Sequence, residues 1–428
     1  MKLKQYLLIF LSACWLLVGC NGGSTASSSP DKAFGLKLGQ MANYGATPWY
    51  TEEIFVGTSQ LRFALDSGSN FIWATSDQCT TTACNAHNKV NTSQPGFVWV
   101  EETTVKHSFG PWGSMYTRTG KVDFKTPHFA SADVPFFASV KYTGEKFQYL
   151  DWGGGIGFPS SSDAIEEGSG FYFYSLYESG AIEIPTFSVV THPETGKGAF
   201  FLGGDDPTQY DKSSEIELQP NRTGQAKDLW GTDLYSAQLG DTVLPTLTNA
   251  RFYLDTGSSE FKGDSVYLIP IMTLLYDIRD AELDRIFEKT YDTDGNWIGL
   301  VYANGGDPMK HVARLPDFTL TMGQSCAMQA GKAAQITLNA QQYSYYVEEG
   351  EQQGRWVVAF TPLDGVGGLL VGSTFMDLLY TKFNYAIQDS GGLTQGNMYL
   401  YAKTTGTGPA ALNCAPRPES TVARNPVR

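Results

Sequence analysis

The stretch Phe63-Ala-Leu-Asp66-Ser67-Gly68-Ser69 returns 189 residues later as Phe252-Tyr-Leu-Asp255-Thr256-Gly257-Ser258. In each copy an aromatic residue and a Leu run into Asp, a small hydroxyl residue, Gly and Ser, which suits a buried strand ending in a tight turn. One copy alone would read as an ordinary strand-end turn, because these residues are the common vocabulary of turns. Two copies, one in each half of the chain, predict two equivalent substructures that each present a carboxylate.

Other segments extend the pairing. Asn70-Phe-Ile-Trp73 follows the first triplet and places a Trp seven positions after the Asp, and Cys79 and Cys84 stand in C-x4-C spacing. Asp151-Trp-Gly-Gly-Gly-Ile156-Gly157-Phe158-Pro159 in the first half has a counterpart in Leu369-Leu370-Val371-Gly372-Ser-Thr-Phe375 in the second. Pro185-Thr-Phe-Ser-Val-Val190, Phe200-Phe-Leu-Gly-Gly-Asp205 and Leu315-Pro-Asp-Phe318 lie between them. In these motifs, from about residue 45 to residue 403, the chain resembles the pepsin-like aspartic peptidases. The resemblance implies an all-β, bilobal fold with a cleft between two β-rich lobes. It also implies an aspartic endopeptidase whose catalytic pair is Asp66 and Asp255, acting on a polypeptide substrate as a monomer.

Composition agrees. At 428 residues, 42% hydrophobic and 13% aromatic, the chain can bury one large or two medium cores. Only 17% of residues are charged, while 46 Gly and many Thr, Tyr, Phe and Val point to strands joined by tight turns. Alternating runs at Ala199-Phe-Phe-Leu, Phe318-Thr-Leu-Thr-Met and Ile336-Thr-Leu predict strands, and the best helical spacing runs from Ile271 to Lys289. The organisation expected is a signal at 1–20, a tether and lead-in at 21–44, a first lobe with its flap at 45–210, a second lobe at 211–405 and a C-terminal extension at 406–428.

Lys2 and Lys4 precede an apolar stretch, Tyr6 to Val18, that ends in Leu17-Val18-Gly19-Cys20. The stretch is short for a membrane span and reads as a bacterial secretory signal. Its ending resembles the lipobox of bacterial lipoproteins, which implies cleavage before Cys20, lipidation of its thiol and a place in the bacterial cell envelope. Multiple acyl chains would hold the protein on a membrane, with Asn21 to Ser29 as a flexible tether. An exported chain meets an oxidising space, and the four remaining cysteines, Cys79, Cys84, Cys326 and Cys414, allow three pairings. The resemblance implies Cys79 with Cys84, the family's small disulfide loop. That leaves Cys326 and Cys414 either as a pair outside the family's usual pattern or as two free thiols.

Two carboxylates held about 3 Å apart cannot both ionise cheaply, so such a pair shares a proton. In the mechanism the resemblance implies, the ionised carboxylate takes a proton from a bound water that attacks the scissile carbonyl, while the protonated carboxyl donates to the carbonyl oxygen. Ser67 and Thr256 would bond across the lobe interface, Ser69 and Ser258 would hold the outer carboxylate oxygens, and Gly68 and Gly257 would let backbone donors approach. No cofactor or metal is called for, since the five His stand apart without an H-E-x-x-H pair. Asp292-Thr-Asp294-Gly295-Asn296 has its Gly misplaced for a calcium loop and reads as a hairpin turn.

The match departs from the family in several places. The flap region, Ser108 to Tyr116, offers Phe109-Gly110 or Trp112-Gly113 where the family has Tyr-Gly. The flap bond to Trp73 is therefore either absent or made by Tyr116, and these aromatics serve either hairpin packing or substrate contact. Gly155 replaces an apolar residue in the first bracing segment, and Glu260 and Lys262 put charges just after the second Asp. The residues between Cys20 and Tyr50 are too few for the family's basic prosegment, so no zymogen step is expected. A net charge of −14, two units more acidic once Lys2 and Lys4 leave with a signal, argues against nucleic acid as a partner. The competing expectation is a pepsin-like binding or inhibitor lipoprotein that does not cut, yet a binder has no need of paired carboxylates that are costly to bury.

Overall fold

The computed structural model describes residues 33–416 except 40–46, 110–112, 222–227, 245–249, 280–284 and short breaks at 304–305, 312–313, 324, 327–328, 331 and 349–351. The sequence repeat is a repeat of strand topology. In the first half, the strand Ser59–Asp66 runs parallel to Gly154–Gly157, with Asp66 opposite Gly157. Gly154–Gly157 is antiparallel to Ile72–Thr75, which is parallel to Ala130–Tyr142. In the second half, Arg251–Leu254 runs parallel to Gly368–Val371, which is antiparallel to Phe261–Gly263, itself parallel to Phe360–Pro362. Each aspartate thus leaves the end of one strand beside the Gly-containing segment that the sequence had paired with it.

Alternation explains the burial. Leu61, Phe63 and Leu65 on Ser59–Asp66 turn into the core, which also takes Ile72, Ile156 and Phe158 from the neighbouring strands. Gly155 has a steric cause that its sequence neighbours do not show. A Cβ there would lie 2.5 Å from Trp73 Nε1, so the indole occupies the space that an apolar side chain would need.

The two halves share a sheet. Thr186–His192 pairs with Lys197–Leu202 on one side and with Tyr380–Ile387 on the other, and Leu393–Tyr401 and Ile216–Leu218 extend the same sheet. Phe187 stacks on Phe383 at 4.5 Å between centroids, and Trp230, fully buried, packs edge-on against both rings. A second sheet, made of second-half strands, runs from Phe360–Pro362 through Trp230–Leu239 to Ala411–Pro416. The structure therefore has the β-rich, two-lobed architecture expected.

Two strands lie in segments expected to flank the lobes, and the helix expectation needs adjustment. Phe34–Gly39, within the predicted lead-in, is a strand paired along its length with Lys197–Leu202. Ala411–Pro416, within the predicted extension, pairs with Lys332–Leu338. The helix runs over Ser265–Tyr276 and not Ile271 to Lys289: it starts upstream of Pro270, which it contains, and Phe287–Tyr291 is a strand opposite Trp297–Tyr302. Strands do occupy the three alternating runs, at Lys197–Leu202, Phe318–Met322 and Lys332–Leu338. Asp292 to Asn296 forms the predicted hairpin turn, with the Asp292 carboxylate accepting from the amides of Asp294 and Asn296. Among the described residues no helix is long and apolar enough to cross a membrane.

Candidate active site

Both turns fold back onto their own aspartates. Gly68 N donates to Asp66 Oδ1 at 2.8 Å and the Ser69 hydroxyl bonds Oδ2. In the second turn Gly257 N donates to Asp255 Oδ1 at 2.9 Å and Ser258 Oγ to Oδ2 at 2.7 Å. Each carboxylate keeps a fixed orientation because both of its oxygens are held within three residues of its own backbone.

The turns are then laced together. Ser67 N donates to Thr256 Oγ1 at 2.9 Å, and Thr256 N donates to Ser67 Oγ at 2.9 Å. The hydroxyls pass the network on, Thr256 Oγ1 to the Leu65 carbonyl at 2.5 Å and Ser67 Oγ to the Leu254 carbonyl at 3.1 Å. Glycine is required beside the carboxylates because each turn lies against the acid of the other half. A Cβ on Gly68 would stand 2.5 Å from Asp255 Cγ, and one on Gly257 would stand 2.1 Å from Asp66 Cγ.

Asp255 is only 6% exposed, and each carboxyl stands against the glycine of the opposite turn. Burial first, and the charge of Asp255 second, push the Asp66 carboxyl well above the ordinary carboxylate range, against the pull of the Ser69 and Gly68 hydrogen bonds. Such a pair can hold one proton and one negative charge, with an acid and a base side by side.

The flap region is a hairpin of Val105–Ser108 and Ser114–Lys125, closed by Phe109 N donating to the Gly113 carbonyl at 2.9 Å. Phe109 packs edge-on against Trp73 at 6.4 Å and against Phe147 at 5.6 Å. Tyr116 takes no part in that cluster: strand alternation sends Met115 inward beneath Ser139, while the Tyr116 ring lies 5.7 Å from Lys141 Nζ. Among the described residues Tyr116 makes no bond to Trp73. Gly110 and Trp112 lie outside the described residues, as does Cys20. Cys79 and Cys84 form a disulfide. Cys414 is disulfide-bonded as well, and the Cys326 side chain lies outside the described residues.

Sequence reasoning passed over Asp377. Its buried Oδ1 accepts from Trp49 Nε1 at 2.8 Å and Thr191 Oγ1 at 2.6 Å, and burial raises its pKa to about 7. A lone acid inside the apolar run Phe375-Met-Asp377-Leu-Leu was the available signal.

The family model described as eukaryotic aspartyl protease matches residues 49–393. Cathepsin E of Mus musculus is 28% identical over 221 residues, 50% of this chain and 53% of that protein. Pepsin A of Gallus gallus is 28% identical over 227 residues, 51% of this chain and 58% of that protein. Gastricsin of Oryctolagus cuniculus is 30% identical over 172 residues, 38% of this chain and 42% of that protein. The match thus spans about half the length of these relatives. With a family match across both triplets and a paired-strand topology repeated in both halves, the chain belongs to the pepsin-like aspartyl protease family.

Proposed function

We propose that this protein is an aspartic endopeptidase that hydrolyses peptide bonds in a polypeptide through a water activated by Asp66 and Asp255. The observation that carries the reading is the seating of each carboxylate against the glycine of the opposite turn, which leaves two acids from two halves facing one point. The pair works with one proton shared between its two acids, so activity belongs in acid. Phe109 and Trp73 form the aromatic wall on the flap side, where the substrate chain would lie.

We further propose a lipid anchor at Cys20, with the body held as a monomer at the bacterial cell envelope. The support is the Leu-Val-Gly-Cys ending of the apolar segment and the polar stretch that follows it. Incorporation of labelled fatty acid, lost in Cys20→Ala, tests the anchor.

The activity test is cleavage of denatured globin at pH 3 to 5 by the full chain, with and without pepstatin. Cleavage that pepstatin blocks, and that Asp66→Ala and Asp255→Ala abolish, is expected. Cleavage that survives either substitution would overturn the assignment.

A further inference from the structure

Seven positions after each aspartate the two halves diverge, with Trp73 in the first and Lys262 in the second. The positions are structurally equivalent. Trp73 lies opposite Gly155 on the antiparallel bracing strand, and Lys262 lies opposite Leu370 on its counterpart. An ammonium therefore stands where the first half has its indole.

That ammonium reaches the acid pair through one hydroxyl. Lys262 Nζ donates to Ser258 Oγ at 3.2 Å, and Ser258 Oγ donates to Asp255 Oδ2 at 2.7 Å. Ser69 makes the matching bond to Asp66, but among the described residues no cation bonds Ser69. Lys262 is half-buried and has no ion-pair partner among the described residues. Glu260, two residues earlier and just outside the strand, is engaged elsewhere, by the Tyr345 hydroxyl and by Thr361 Oγ1 at 2.5 Å. The strands on either side, Phe360–Pro362 and Gly368–Val371, carry no charge. Beyond them Asp264 accepts from the amides of Gly365 and Val366, and Asp364 from Ser265.

We propose that Lys262 is a positioning residue that breaks the symmetry of the acid pair, drawing its negative charge to Asp255 and leaving the shared proton on Asp66. The inference rests on the reading of that pair as a water-activating dyad. A cation close to one of two coupled acids favours the ionised form there, and donation into Ser258 Oγ strengthens the bond that Ser258 makes to Asp255. One consequence is chemical: Asp255 takes the proton from water while Asp66 donates to the carbonyl oxygen. A second is that the pair keeps its single charge in stronger acid than a symmetrical pair would.

Lys262→Met and Lys262→Arg separate charge from packing. In kcat/KM measured from pH 2 to 7, Lys262→Met is expected to move the acidic limb upward by about 1 pH unit, a roughly tenfold loss below the limb with little change on the plateau. Lys262→Arg is expected to restore the wild-type limb. A Met profile that superimposes on wild type, or an Arg profile that matches Met, overturns the proposal. Titration of carbon-13-labelled aspartate carboxyls in the same variants reads the pair without turnover, and there the Met substitution must displace its first deprotonation. If the wild-type chain cuts nothing, the peptidase reading fails on its own, and the carboxyl titration still decides whether Lys262 sets the charge of the pair.

Discussion

Ser67 and Thr256 exchange hydrogen bonds across the lobe interface, each hydroxyl accepting the other's amide at 2.9 Å. The exchange uses only the Oγ, so a Ser in one triplet and a Thr in the other serve equally. Ser67 is fully buried, and its loss would leave the Thr256 amide without an acceptor in the middle of the molecule. Ser67→Ala is expected to cost about 1–3 kcal/mol in urea unfolding and to lower kcat more than it raises KM. Thr256→Ser should retain most of both.

Gly68 and Gly257 are tested by a single methyl group. Gly257→Ala would place a carbon on the Asp66 carboxyl and Gly68→Ala one on Asp255, so each substitution must push the acids apart. Loss of at least 100-fold in kcat/KM is expected for both, an effect on geometry equivalent to about 2.7 kcal/mol of barrier. Far-ultraviolet circular dichroism checks that the fold persists.

Stability should fall as pH rises. Asp66 and Asp377 both have folded-state pKa values above those of the unfolded chain, so the native state binds protons more tightly. Their contribution is fully present below about pH 4 and is lost as pH climbs through the folded value, about 7 for Asp377. For Asp377 alone the change is roughly 4 kcal/mol. Urea midpoints at pH 5 and pH 8 capture roughly 3 kcal/mol of it, because the unfolded carboxyl is already ionised at pH 5, and Asp377→Asn should narrow the gap between them.

Gly155 and Trp73 form a compensating pair. Gly155→Ala should destabilise the first half by about 1–3 kcal/mol, because its Cβ would meet the indole. Trp73→Leu in the same chain should recover part of that loss, a coupling that a double-mutant cycle reads directly.

Much of the site was legible because its chemistry is local: a turn that holds its own carboxylate needs consecutive residues, and the repeat showed them twice. What escaped depends on contacts distant in sequence. Asp377 meets Trp49 across 328 residues, and no local pattern marks that burial. The role of Gly155 follows from an indole that arrives on another strand, which is why an apolar residue looked the natural occupant. The spacing from Ile271 to Lys289 mixed a helix with a strand, since Phe287 takes its conformation from Tyr302 opposite. The charge of Lys262 could be read as unusual, but its direction toward Ser258 required the strand.

The seam at Phe187 and Phe383 has a consequence for any attempt to divide the molecule. A fragment ending near residue 210 would carry Thr186–His192 as a bare edge, its unmet donors and acceptors spaced to receive Tyr380–Ile387. Such an edge templates whatever extended backbone comes first, so the isolated fragment should self-associate through it, and adding the complementary fragment should dissolve those assemblies.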